Sequence, residues 1–231
     1  MTMYLLGIDT SGKFGGVTLA EGDEHTYREL ESSPIAGGTF SAQLVPTVAT
    51  LLGKRQLRIK DLGGFAVASG PGSFTGLRVG LGAIKGLAEA GGKPVTTISL
   101  LEALASLAEM EGTVAAALDA GRNEIYLGLY FAHPAANRTT LIDESLRSQA
   151  ELLEVLEKHP EATLITSDDA IARFASATRI KTELVKRPDS ALIGRLGLRK
   201  LLAGDTVSVE DLDANYIRRS DAEIFHKGAR N

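Results

Sequence analysis

Apolar residues fall in short blocks whose spacing alternates between the two-residue period of a strand and the 3.6-residue period of a helix. Tyr4 to Asp9 is an apolar run that stops at an acidic residue, and Thr10-Ser11-Gly12-Lys13 turns the chain. Val17 to Glu21 and Glu24 to Leu30 read as two further strands, with Gly22-Asp23 as the tight turn between them, so the chain opens as a β-meander. From about Thr39 the period changes. Leu44, Val48, Leu51 and Leu52 recur at helical spacing, and Gly53 marks the end of that helix. Pro46 falls inside this pattern and must either sit in the first turn of a late-starting helix or kink it. Gly63 to Ala68 is a compact buried strand, followed by the glycine-rich turn Ser69-Gly70-Pro71-Gly72-Ser73. Leu77, Leu81, Ile84 and Ala88 mark a second helix closed by Gly91-Gly92, and Pro94 to Ile98 is another strand.

The second half begins with a helix capped by Ser99 and lined by Leu100, Leu104 and Leu107. Val114 to Asp119 and Glu124 to Phe131 form a strand–turn–strand unit. A loop at 133–137 leads to a strand near Thr139 to Ile142, a helix at Gln149 to Lys158 and a strand at Thr163 to Thr166. Helices over Asp168 to Ala177 and Ser190 to Ala203 complete the pattern. One echo organises it: Leu6-Gly7-Ile8-Asp9-Thr10-Ser11 and Ala116-Ala117-Leu118-Asp119-Ala120-Gly121 are both apolar strands ending in aspartate, each followed by a turn and a returning strand. The expected class is α/β: two RNase H-like lobes with mixed sheets flanked by helices, the first over residues 1–98 and the second over 99–231. Two short Asp-ended strands could also match by chance.

Composition narrows the chemistry. The net charge of −4 argues against a generic basic surface for gripping nucleic-acid phosphates. There is no cysteine, which excludes disulfides, thiolate metal sites and cysteine nucleophiles. His25, His133, His159 and His226 are isolated, with no paired-histidine motif, so no metal ligand set is expected. With seven Phe, five Tyr and no Trp, platforms for stacking bases are scarce. The first residues carry no basic region and the apolar run is too short for a signal core or a membrane span, so a soluble cytoplasmic protein is the expectation.

Three places invite a functional reading. The turn at Gly72-Ser73 lies between a strand and a helix, where free N–H groups can receive an anion; the plainer reading is a helix cap by Ser73 or Thr75. It is neither a Walker A loop nor a Gly-x-Ser-x-Gly elbow. Asp9-Thr10-Ser11, and likewise Asp119 near Arg122 and Glu124, could meet phosphates or could be ordinary Asp/Ser turns. Neither carboxylate is assigned a catalytic role. The helix after the glycine turn carries Gly76, Gly80, Gly82, Ala83 and Gly86, and each interior glycine costs about 0.5–1 kcal/mol relative to alanine. Close packing against another helix, internal or from a partner, would explain them. Arg218-Arg219, His226-Lys227 and Arg230 form a small cationic tail, read first as a solvated terminus.

These segments resemble the TsaB (YeaZ-like) family of the actin-like ATPase superfamily. Leu6 to Ser11 looks like its opening motif, and Gly70-Pro71-Gly72-Ser73-Phe74-Thr75-Gly76-Leu77-Arg78 is similar to its most specific signature. Leu118 to Tyr126 looks like its Asp-Ala-Arg-x-x-Glu-Val-Tyr stretch, with Gly121 where arginine is usual. Asn215-Tyr216-Ile217-Arg218 resembles its closing Pro-x-Tyr-Leu-Arg motif without the proline. Phe40-Ser41 stands where the family commonly has His-Ser, the region that supplies paired metal-binding histidines in the catalytic paralogue TsaD.

The resemblance implies an actin-like fold with a reduced second lobe, whose C-terminal tail can return to the first. It implies a scaffold without its own catalytic residues that binds TsaD, together with the ATPase TsaE. That complex transfers threonylcarbamoyl to N6 of adenosine 37 in tRNAs reading codons beginning with A, and tRNA is met only through the complex. The expected partner interface is Leu44, Val48, Leu51, Gly76, Leu77, Gly80, Leu81, Ala83, Ile84 and Gly86, on the first two helices. Self-association through the same helices is the expectation when the partner is absent. Asp9, Thr10, Ser11, Gly72 and Ser73 are then a vestigial phosphate site. No cofactor or metal is expected on this chain alone, with room for ATP or ADP and Mg at the complex interface. The competing expectation is an ATPase, or a glycopeptidase of the M22 type, with its own site.

Overall fold

The computed structural model describes residues 2–136, 138–178, 180–215 and 217. They form two compact units, one of the described residues up to Ala103 with Pro188–Ala214, and one of the described residues of Leu104–Arg187 with Asn215. Each is built on one five-stranded mixed sheet.

The first sheet has the order β3-β2-β1-β4-β5. Its strands are β1 (Met3–Asp9), β2 (Phe14–Gly22), β3 (Tyr27–Ala36), β4 (Leu62–Gly70) and β5 (Val95–Ser99). β1 pairs antiparallel with β2 and parallel with β4. Leu5, Leu6 and Ile8 are all fully buried, because a central strand covered on both faces needs apolar residues on both. β3 runs past Pro34, which an edge strand tolerates since it has a side with no ladder to donate to.

Helices α1 (Phe40–Lys54) and α2 (Phe74–Gly91) follow β3 and β4, and α3 (Leu100–Ala105) follows β5. Ser99 Oγ accepts from the N–H groups of Leu101 and Glu102, as its capping role predicts, but α3 stops short of Leu107. Pro46 lies within α1 rather than in its first turn. The carbonyl it leaves without a helical donor is that of Ala42, an exposed position where solvent can serve it.

The last described helix, α6 (Ser190–Leu202), also belongs to this first unit. Adjacent β2 glycines show which face it covers: Gly15 meets the Phe40 ring of α1 and Gly16 meets Ser190 of α6, so the two helices lie on opposite faces of the sheet. α6 sits unusually deep. A Cβ on Gly7 would come within 2.6 Å of the Gly194 amide nitrogen, and one on Gly197 would overlap the Ala66 methyl. Thr18 Oγ1 lies 2.7 Å from Ser190 Oγ and 2.7 Å from Ser32 Oγ, satisfying the buried hydroxyls at the seat. The Tyr27 hydroxyl donates to Ala191 O at 2.8 Å, and burial pushes this phenol well above its ordinary pKa.

The second sheet has the order β10-β9-β6-β7-β8, with the same meander followed by two parallel additions. Its strands are β6 (Gly112–Gly121), β7 (Glu124–His133), β8 (Arg138–Ser148), β9 (Thr163–Thr166) and β10 (Thr182–Leu184). α4 (Gln149–Lys158) and α5 (Asp169–Ala177) make the crossovers. The matching order in both sheets agrees with the two RNase H-like halves that the sequence echo suggests. Ala115, Ala117, Ile125, Leu127, Leu152, Leu164 and Ile171 form the core of this unit. The β6–β7 turn places Arg122 at φ 57° and Asn123 at φ 60°, the left-handed pair that a two-residue hairpin turn requires. α4 starts with a reciprocal capping box between Ser148 and Glu151. β8 is much longer than its apolar centre predicts, and β10 carries no buried residue, so neither extent shows in the hydrophobic pattern.

Candidate functional site

The turn after β1 is built from buried polar residues: Asp9 is 2% exposed, Thr10 0% and Ser11 1%. Asp9 Oδ1 accepts the Ser11 N–H at 2.8 Å and the Ser11 hydroxyl at 2.5 Å. The Ser73 N–H donates to Ser11 O at 2.7 Å, which ties this turn to the glycine-rich segment after β4. Gly72 is needed there, since a Cβ would lie 2.9 Å from that of Ser11 and overlap its carbonyl oxygen. Ser73 caps α2, its Oγ accepting from the Gly76 N–H at 3.2 Å. All five residues of the expected phosphate site therefore come together. The Asp9 carboxylate and the Ser73 and Gly76 N–H groups have hydrogen-bond partners inside the protein.

α2 presents two faces, each with its own glycines. On the inner face, a Cβ at Gly76 would overlap Thr10 O, and one at Gly80 would overlap Thr10 Oγ1. The helix thus rests directly on the β1 turn. Thr10 Oγ1 is buried in this contact and has no hydrogen-bond partner among the described residues. On the outer face, Gly82 and Gly86 are exposed, with no described residue within 4 Å of a Cβ added to either. Ala83 is half-buried beside them.

This division sorts the expected interface residues. Leu44, Val48, Leu51, Leu77, Leu81 and Ile84 are at most 4% exposed, and Gly76 and Gly80 are also buried. In the isolated chain these eight belong to the interior of the first unit, where leucines at helical spacing satisfy its core. Only Ala83 and Gly86 reach the outer surface of α2. Gly82, one of the small residues already noted on this helix, shares this surface, as do two residues that the helical pattern missed: Phe74 and Arg78, whose guanidinium lies 3.6 Å above the Phe74 ring centre. Phe74, Arg78, Gly82 and Gly86 are four residues apart and all exposed, a spacing that could have revealed them as one stripe. Val45 of α1 is 50% exposed and also escaped the leucine pattern.

Phe40, at the family's usual histidine position, is 4% exposed and packs under Gly15. In the second unit Asp119 is exposed, unlike Asp9. Its N–H donates to Asp168 Oδ2 at 2.8 Å, and its Oδ1 accepts the Gly121 N–H at 2.9 Å. The described residues include no cluster of three or more His, Asp or Glu side chains able to hold a metal ion. None of their helices is long and apolar enough to cross a membrane. Tyr216 and Arg218 of the closing motif, and the cationic tail with its expected return to the first lobe, lie outside the described residues.

A Pseudomonas aeruginosa structure described as an uncharacterized protein with similarity to peptidase YEAZ superposes with a TM-score of 0.70 at 24% identity, covering 94% of this chain and 100% of that one. The chain is 28% identical to the tRNA threonylcarbamoyladenosine biosynthesis protein TsaB of Bacillus subtilis over 229 residues, 96% of each. It is 26% identical to the Haemophilus influenzae protein of the same name over 226 residues, 94% of each. Residues 34–194, well over half of the chain, match the family model described as TsaD: tRNA N6-adenosine threonylcarbamoyltransferase. With the actin-like pair of sheets and TsaB-like relatives along almost its whole length, the chain belongs to this TsaD family.

Proposed function

We propose that the chain serves threonylcarbamoyladenosine synthesis on tRNA as a non-catalytic subunit that docks a TsaD-type catalytic subunit on the outer face of α2. The observation that carries this reading is the pair Gly82 and Gly86, which no contact among the described residues explains. Interior helix glycines cost about 0.5–1 kcal/mol each, and the inner pair is accounted for by Thr10 while the outer pair is not. A surface without side chains lets a partner helix approach closely, with Phe74, Arg78 and Ala83 alongside. The TsaB-like relatives support the pathway, and the engagement of Asp9 by Ser11 supports a structural role for that carboxylate. In this reading TsaE and tRNA are met through the complex in the cytoplasm, and a second copy covers the same face when the partner is absent.

The test is co-purification with the TsaD-type subunit of the same organism. Gly86→Leu is expected to abolish capture while the chain stays folded. Capture at the wild-type level would show that the docking face lies elsewhere. Metal-dependent ATP turnover by the isolated chain, lost in Asp9→Ala, would favour the enzymatic alternative.

A further inference from the structure

Thr10 is fully buried, and its hydroxyl is the one buried polar group of the β1 turn with no partner among the described residues. It faces Gly80 in the interior of α2, where backbone N–H groups are already used by the helix and offer no donor. An unsatisfied buried hydroxyl is costly, whereas an apolar side chain of similar shape would not be. An arrangement of α2 in which the hydroxyl is satisfied would remove that cost. Helix carbonyls can accept a second hydrogen bond, so a small shift of α2 along or about its axis brings one within reach of Thr10 Oγ1. The two glycine faces set how such a shift acts. Gly76 and Gly80 bring the helix backbone directly against Thr10, so even a small displacement of α2 changes what its hydroxyl reaches, and Gly82 and Gly86 let a partner press on the opposite side of the same helix.

Resting on the docking reading above, we infer that Thr10 couples partner binding to the β1 turn: its hydroxyl, without a partner among the described residues of the isolated chain, gains a helix carbonyl when a partner seats on the outer face of α2. Because the bond exists only in the bound arrangement, it adds to the affinity for the partner. Thr10 is then a positioning residue, acting through α2 without touching the partner.

The test measures binding of the TsaD-type subunit by calorimetry for wild type, Thr10→Ser and Thr10→Ala. Serine keeps the hydroxyl and alanine removes it, and both lack the threonine methyl, so their difference isolates the hydroxyl. Thr10→Ser is expected to bind within about twofold of wild type and Thr10→Ala about fivefold more weakly, roughly 1 kcal/mol at 1.4 kcal/mol per factor of ten. Equal affinities for the serine and alanine variants overturn the coupling and leave the docking face standing. Gly86→Leu is run in parallel: binding unaffected by that substitution overturns the docking reading instead. No binding by the wild-type chain overturns both.

Discussion

Gly7 of β1 and Gly194 of α6 meet backbone to backbone, with a Cβ on Gly7 placed 2.6 Å from the Gly194 nitrogen and 2.7 Å from its Cα. Backbone cannot yield as the end of a flexible side chain can. Gly7→Ala is therefore expected to lift α6 from the sheet and lower stability by about 1–3 kcal/mol. Urea unfolding checks this, as a lower midpoint at similar slope. An unchanged midpoint would mean that the helix has slack.

The two glycine faces of α2 predict opposite effects on stability. Gly86→Leu adds a side chain in open space and replaces a poor helix former, so the unfolding midpoint should hold or rise, by up to about 1 kcal/mol. Gly80→Leu drives a side chain into Thr10 and should destabilise the first unit by about 3 kcal/mol or more. Thermal unfolding of the two variants separates them. A well-folded Gly80→Leu chain would contradict the inner contact.

Asp9 is expected to matter for folding. Its Oδ1 accepts both donors of Ser11, so Asp9→Ala leaves those buried groups without their acceptor and should cost about 1–3 kcal/mol. Chemical denaturation measures the loss, and hydrogen exchange at the Ser11 amide should accelerate with it.

Two groups set opposite pH limbs. The Ser148 N–H, and then its hydroxyl, hold the Glu151 carboxyl below its ordinary pKa. A depressed folded value means that this stabilisation is complete above about pH 4.3 and lost as pH falls through the lowered value. Far-UV circular dichroism of α4 should show an acid limb that Glu151→Gln flattens.

Tyr27 behaves in the opposite sense. Burial raises its pKa, so its contribution is complete below about pH 10 and lost as pH climbs through the raised value. Tyr27→Phe should cost about 1 kcal/mol at neutral pH through the lost bond to Ala191 O. The same variant should remove this group's share of the alkaline limb in pH-dependent unfolding.

Most elements were legible because they bury apolar side chains periodically. β1, α1, α2 and α4 all follow their leucine, isoleucine and valine spacing, and the echo of Asp9 in Asp119 announced two sheets of equal order. β10 and the outer part of β8 were not legible, since edge strands carry few of the buried residues that make a pattern. The candidate site was legible as a set of residues, with Asp9, Ser11, Gly72 and Ser73 indeed gathered around one turn.

By itself, then, the sequence determined the alternation of strands and helices, the doubled meander, and the family signature around the glycine turn. Tertiary structure alone decided what each glycine on α2 does: helical spacing pairs Gly76 with Gly80 and Gly82 with Gly86, but does not say which pair meets the rest of the chain. Gly80 is inner because Thr10, seventy residues earlier, lies beneath it, and Gly86 is outer because no described residue does. The same holds for α6, whose place on the first sheet depends on Gly7 and Ala66 meeting Gly194 and Gly197 across most of the chain's length. Such contacts depend on which backbones can approach closely, and local pattern carries no record of that.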